Sequence, residues 1–167
     1  MSAASTPEER LADLGLSLPP VTPPVAAYVP AVRTGIYVYT SGQLPMVDGV
    51  LLATGKVGAE VDAESAAQLA RRCALNALAA IRAEIGELGE VRRVVKVVGY
   101  VASAPGFTGQ PQVINGASEL LGAVFGDAGR HARSAVGVAV LPLDAPVEVE
   151  LVVELRAGPI PTAADGG

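Results

Sequence analysis

The sequence predicts an α+β fold in which one sheet carries two helices on a single face. Three observations lead there. Apolar residues spaced by two or by 3.6 succeed one another as several strands, a helix, a strand, a helix and two strands. Each helix has one apolar stripe, so both most simply cover the same sheet face. The other sheet face still carries Val, Ala, Gly and Tyr, and an exposed apolar face of that kind marks an association surface. Assembly with copies of itself is therefore expected.

The chain has 167 residues, which fits one domain. A chain of this size buries roughly 70% of the surface its unfolded form exposes, so its core needs no disulfide or metal. Hydrophobic residues make up 50% of it, chiefly Ala, Val and Leu, and Trp is absent. No apolar run reaches the ~18 residues of a membrane span, and no membrane partner is expected. The first ten residues lack a basic region followed by an apolar one, so they do not read as a secretory signal. A single cysteine, Cys73, has no internal partner, which suits a cytoplasmic protein. The formal net charge of -5, with basic residues scattered, speaks against nucleic acid as the main partner. A small anion held by one Arg remains compatible with it.

Residues 1–25 read as an N-terminal strap, 26–156 as the domain and 157–167 as a flexible, Gly-rich tail. In the strap, Thr6 is the N-cap of a short helix, Pro7 its first residue, Glu9 the capping-box partner and Gly15 its stop. Leu18 to Pro24 holds four prolines and makes an extended arm. The strap lies over the domain or reaches a neighbour. Tyr28–Val32 and Ile36–Ser41 are strands. Asp48-Gly49 between Leu44–Val47 and Val50–Ala53 signals a two-residue hairpin. Thr54 to Gly58 is Gly-rich, yet lacks the spacing of a phosphate loop and reads as a plain loop.

Asp62 to Gly86 is the clearest helix. Asp62 caps it, and Ala66, Leu69, Ala70, Cys73, Ala77 and Ile81 form its stripe. Cys73 on that stripe reads as a buried, unreactive thiol. Val91–Ser103 is β-branched and apolar on both faces, so it lies inside the sheet. After a loop at 104–111, a second helix runs from about Gln112 to Phe125. Gly116 within it costs about 1 kcal/mol relative to Ala and marks close packing. Arg133–Val140 and Val147–Leu155 are the last strands. Val147, Val149, Leu151, Val153 and Leu155 share one face of the second; Glu148, Glu150 and Glu154 share the other. In the first, Arg133 shares a face with the small residues Ala135, Gly137 and Ala139, which lets another surface approach closely.

Candidate chemistry narrows quickly. One His and one Cys form no zinc pattern, and three alternating Glu read as a solvated strand face. No Gly-x-Ser-x-Gly pattern is present, and His131 reads as a loop or edge residue in place of a base. Arg133 with Glu148 stands apart. An Arg at a strand end beside small residues can bind a carboxylate in bidentate fashion, and a Glu nearby can position water. If the two strands pair antiparallel, the same residues equally make a cross-strand salt bridge, worth little if exposed. Spacing alone leaves both readings open.

Tyr39-Thr-Ser-Gly-Gln-Leu-Pro45, Asn76, and His131-Ala-Arg-Ser-Ala-Val-Gly-Val-Ala-Val-Leu-Pro142 followed by Val147-Glu-Val-Glu150 resemble the Rid family. This is the reactive-intermediate deaminase group, also called YjgF/YER057c/UK114 and often labelled endoribonuclease L-PSP. The resemblance covers about residues 26–156. It implies a chorismate mutase-like (bacterial-type) fold, one mixed sheet with two helices on one face, in a homotrimer whose sheets face inward. It also implies a cofactor-free enamine/imine deaminase that hydrolyses 2-imino or enamino acids to 2-keto acids and ammonia in clefts between subunits. By resemblance, Arg133 holds the substrate carboxylate, Glu148 positions the attacking water, Tyr28 shapes the cleft, and Asn115, Ser41 and Gly42 line it. The chemistry suits these residues, since an imine is already electrophilic and needs mainly placement. The alternatives are a non-catalytic trimer that binds small carboxylates on the same fold, and an RNA-directed protein, which the acidic charge disfavours. Three departures from the family pattern stand out: Ala135 where a Cys is frequent, a longer loop at 104–111, and the strap.

Overall fold

The computed structural model describes residues 5–21 and 27–156. The expected flexible tail and the end of the Pro-rich arm, 22–26, lie outside the described residues. The strands are β1 (Ala31–Thr34), β2 (Tyr37–Thr40), β3 (Met46–Val47), β4 (Val50–Leu51), β5 (Val91–Ala102), β6 (Ala132–Val138) and β7 (Val147–Leu155). The helices are α1 (Pro7–Asp13), α2 (Ala63–Ile85) and α3 (Gln110–Phe125). β3 and β4 form the expected hairpin. Asp48 and Gly49 both take positive φ, 50° and 78°, as a turn matched to strand twist requires. No helix among the described residues is long and apolar enough to cross a membrane.

The main sheet is mixed, in the order β1-β2-β7-β5-β6. Every pairing is antiparallel except β5 with β6. A parallel pair needs a crossover, and α3 is that crossover. It lies beside α2 on the same sheet face, so both helices cover one side and the other is open. The helices approach closely because Gly116 has no side chain: a Cβ there would overlap the carbonyl of Ala67 on α2.

Burial follows the alternation. Val147, Val149, Leu151, Val153 and Leu155 of β7 are all buried beneath the helices, as are Val94, Val97 and Val101 of β5. Cys73 is fully buried on α2, and that burial, together with Glu148, raises its thiol pKa well above the ordinary range. The open face carries Val32, Tyr37 and Tyr39 at one side and Val136 at the other, all exposed.

The structure decides two points that spacing left open. The last two strands do not pair with each other, because β5 lies between them. The α3 crossover returns the chain to lie parallel to β5 as β6. The Pro142–Asp144 turn then carries it past the end of β5 into the slot beside β2. Leu143 and Asp144 both sit at φ 59° in that turn. Secondly, the small face of β6 makes room for α3. Arg133, Ala135 and Gly137 share the face of Val97, Gly99 and Val101, and a Cβ on Gly137 would crowd Gln110 of α3 and Ser103. β6 also ends at Val138, two residues short of the expected Val140.

The N-terminal helix is fastened to the body. Thr6 accepts from the Glu9 amide at 3.1 Å, and the Glu9 carboxylate accepts from the Thr6 amide at 2.8 Å, the reciprocal capping box. Leu11 is buried among core residues. The Leu88 amide donates to Glu8 at 2.6 Å, and Arg10 donates to the Val124 carbonyl at 3.3 Å.

Candidate functional site

The site residues expected from sequence gather in two groups on opposite faces of the sheet. The first lies on the open face, where β2 ends against β7. Tyr39 pairs with Val152, and Gln43 exchanges two backbone hydrogen bonds with Val149, at 2.8 and 3.0 Å. Four steps along one strand therefore match three along the other, so the chain bulges at Ser41-Gly42. The Leu151 amide left over by the bulge is satisfied by the Thr40 hydroxyl at 2.9 Å.

The bulge is tied down from both sides. The Ser41 amide donates to the Pro30 carbonyl at 2.8 Å and its hydroxyl to the Val29 carbonyl at 2.6 Å. This draws the segment holding Tyr28 to the bulge, while the Tyr28 side chain itself is 56% exposed. On the other side Asn76 of α2 donates to the carbonyls of Leu44 and Met46 at 2.9 and 3.1 Å, and Arg72 adds a bond to Met46 at 2.9 Å.

Glu148 sits against the bulge. Its carboxylate occupies the place a Cβ on residue 42 would take, so a side chain there would have to displace the Glu148 carboxylate from the bulge. Burial, with Glu150 beside it on the same face, raises the Glu148 carboxyl above the ordinary glutamate range. Tyr100 of β5 donates to Glu150 at 3.3 Å, and burial and Glu150 raise its phenol in turn. The three alternating glutamates are thus unlike. Glu154 pairs with Arg92 at 2.9 Å, Glu150 takes the Tyr100 hydroxyl, and Glu148 faces the bulge with no cation beside it among the described residues.

The second group lies on the helix side, at the edge strand β6. Arg133 Nη1 donates to Asn115 Oδ1 at 2.8 Å and to the Ser118 hydroxyl at 3.1 Å, both on α3. Ser118 also meets His131 Nε2 at 3.0 Å, and His131 Nδ1 lies 2.6 Å from the Gly129 carbonyl. Arg133 and Asn115 are therefore brought together, as are Gly42, Ser41 and Glu148. The two groups do not meet within one chain. Two strand spacings, about 10 Å, and opposite sheet faces separate β6 from β7.

Ser118, His131 and Tyr100 are absent from the sequence-derived site. His131 is recognisable only as the lone imidazole. Ser118 lies three residues after Asn115, one helical turn on, which is the single signal that could have found it.

Comparison with known proteins agrees with this architecture. Residues 8–155 match the family described as "YjgF/chorismate mutase-like, putative endoribonuclease", a span that begins within α1. Protein TCP17 of Trypanosoma cruzi is 46% identical over 148 residues, covering 88% of this chain and 92% of that one. The crystal structure of Atu1372 from Agrobacterium tumefaciens is 48% identical, with a TM-score of 0.83 over 90% of this chain and 92% of that one. The crystal structure of TdcF from E. coli with bound serine is 25% identical, with a TM-score of 0.57 over 84% of this chain and 94% of that one.

Proposed function

The chain belongs to the YjgF/chorismate mutase-like family, and from that premise we propose that it is a homotrimeric enamine/imine deaminase. It hydrolyses small 2-imino or enamino acids to 2-keto acids and ammonia without a cofactor. The observation that carries this reading is the state of Arg133. All its hydrogen bonds among the described residues run through Nη1, which leaves Nε and Nη2 free to grip a ligand carboxylate in bidentate fashion. Because Arg133 and Glu148 lie on opposite faces of one chain, a site using both draws them from two subunits. That requirement supports a cleft between copies. Serine bound to TdcF, a molecule with an α-carboxylate, is compatible with such a pocket in a structural relative.

The chemistry follows from the two groups. Arg133 holds the carboxylate and thereby fixes the adjacent C=N carbon. Glu148 takes a proton from water as the oxygen attacks that carbon and the C=N electron pair moves to nitrogen, which then receives that proton from the Glu148 carboxyl. As the carbinolamine collapses, its hydroxyl proton passes by the same carboxylate to nitrogen, the C–N bond breaks, and ammonia leaves the 2-keto acid behind. A carboxyl raised toward neutral pH exchanges protons in this way more readily than an ordinary one. The chain holds one His, and its ring is engaged by Gly129 and Ser118, so a ribonuclease using two imidazoles finds no footing.

The test is release of 2-keto acid when an amino-acid oxidase supplies the imine. The protein should accelerate release. Arg133→Ala should lower kcat/KM by about 10²-fold or more, as expected when a bidentate anchor and the orientation it provides are lost. Rates equal to buffer across several imino acids would overturn the reading. Binding of a 2-keto acid that depends on Arg133, with no turnover, would instead support the non-catalytic trimer. Ala135, at a position where the family often has Cys, is the feature that favours this second reading.

A further inference from the structure

We propose that His131 and Ser118 are positioning residues for Arg133, forming a hydrogen-bond relay that fixes one end of the guanidinium and leaves its other edge for a carboxylate. The inference rests on the reading of Arg133 as the carboxylate anchor.

The relay can be assigned proton by proton. The Gly129 carbonyl only accepts, so at 2.6 Å His131 Nδ1 carries the hydrogen. With the ring neutral, Nε2 presents a lone pair. Arg133 only donates, so at 3.1 Å the Ser118 oxygen accepts from Nη1. The single Ser118 hydrogen is therefore available to Nε2, 3.0 Å away. Each group has one role and no donor faces a donor. The chain of bonds runs from Nη1 to Ser118, from Ser118 to His131, and from His131 to the Gly129 carbonyl. Asn115 Oδ1 takes a second Nη1 contact at 2.8 Å.

The scaffold gives the relay its stiffness. Gly129 is buried beneath the end of α3, where a Cβ would overlap the Leu121 carbonyl. That backbone cannot shift easily, so the imidazole hangs from a fixed point. Ser118 and Asn115 lie on one face of α3, three residues apart. Arg133 sits on an edge strand with partners on one side only. Without the relay, a single bond to Asn115 would hold Nη1, and the guanidinium would turn about it. With it, the fork is oriented before a ligand arrives, which lowers the cost of ordering on binding.

Two substitutions separate positioning from mere support of the loop. Asn reproduces the Nδ1 hydrogen-bond position of His but does not reach Ser118. Gln reproduces the Nε2 acceptor but gives up the tether to Gly129. 2-Oxobutanoate is titrated calorimetrically into the full chain and its variants, with melting temperature as the check on folding. Ser118→Ala and His131→Asn should each weaken binding about ten-fold, the value of roughly one hydrogen bond, while His131→Gln, which keeps the acceptor for Ser118 and loses the Gly129 tether, falls between His131→Asn and wild type. In turnover the loss should appear in KM and leave kcat nearly unchanged. Independently of any ligand, 15N spectra at mildly alkaline pH should show Nδ1 protonated and Nε2 unprotonated. Rotation about the Arg133 Cζ–Nη1 bond should quicken in Ser118→Ala.

A ring protonated at Nε2 alone, unchanged guanidinium rotation in Ser118→Ala, or rescue by Asn with loss in Gln would each overturn the relay. If wild type binds no 2-oxobutanoate, the carboxylate reading of Arg133 fails, and the ring and rotation spectra still decide whether the relay exists.

Discussion

At the scale of single residues, Glu148 is the group whose surroundings matter most. Its folded pKa is raised above the ordinary value of 4.5 by burial first and by Glu150 second. The folded state therefore binds the proton more tightly than the unfolded chain. Stability from this group is full below the ordinary value and is eroded as pH rises through the raised one. Glu148→Gln removes the erosion. Its melting temperature should exceed that of wild type at neutral pH, and the difference should close as pH falls toward 4.5. Turnover should drop by about 10²-fold or more in the same variant if the carboxylate serves as base. Thermal melts across pH, paired with the keto-acid assay, check both halves. Alternation along β7 puts Glu148, Glu150 and Glu154 on one face but leaves them equivalent. What distinguishes them is non-local: the Gly42 bulge, the Tyr100 hydroxyl and Arg92. Ser118 and His131 were hidden for the same reason, since their meeting depends on how α3 lies against β6.

At the scale of elements, legibility follows how local the determinants are. The capping box of α1, the span of α2 and the Asp48-Gly49 turn are set by neighbours within a few residues, and each is read correctly from sequence. Strand partners are another matter. β6 and β7 are consecutive and joined by a short turn, which suggests a hairpin. The interposed β5 is visible only once α3 is known to be a crossover. Gly116 joins the two levels, being odd for a helix interior in sequence and explained by the Ala67 carbonyl in structure. The obstacle is backbone on a packed helix, which cannot swing aside. Gly116→Ala should therefore destabilise by about 2 kcal/mol, despite the helix propensity of Ala, because overpacking outweighs it. Denaturant unfolding should show a lower midpoint with an unchanged slope.

At the scale of the whole molecule, the open sheet face is the unfinished part. Val32, Tyr37 and Tyr39 stand exposed on one flank of it, with Val136 on the other. The one-sided helix layer and the apolar remainder were both legible in the order and stripes of the elements. The number of copies that would cover the face was not, because it depends on the angle at which they would meet. If the face is the trimer contact, Tyr39→Asp should place a charge within it and shift the mass seen by light scattering from trimer to monomer. A wild-type monomer at micromolar concentration would remove the premise.

The strand order has a consequence for how the protein is made. β7, the last translated of the seven described strands, occupies the centre of the main sheet, between β2 and β5. Until it emerges from the ribosome, the β1-β2 hairpin and the β5-α3-β6 unit have no shared partner. The apolar face β7 will cover stays open until then. The nascent chain thus holds two half-sheets apart, and closure comes in one late insertion, a stage at which exposed strand edges invite pairing with other chains.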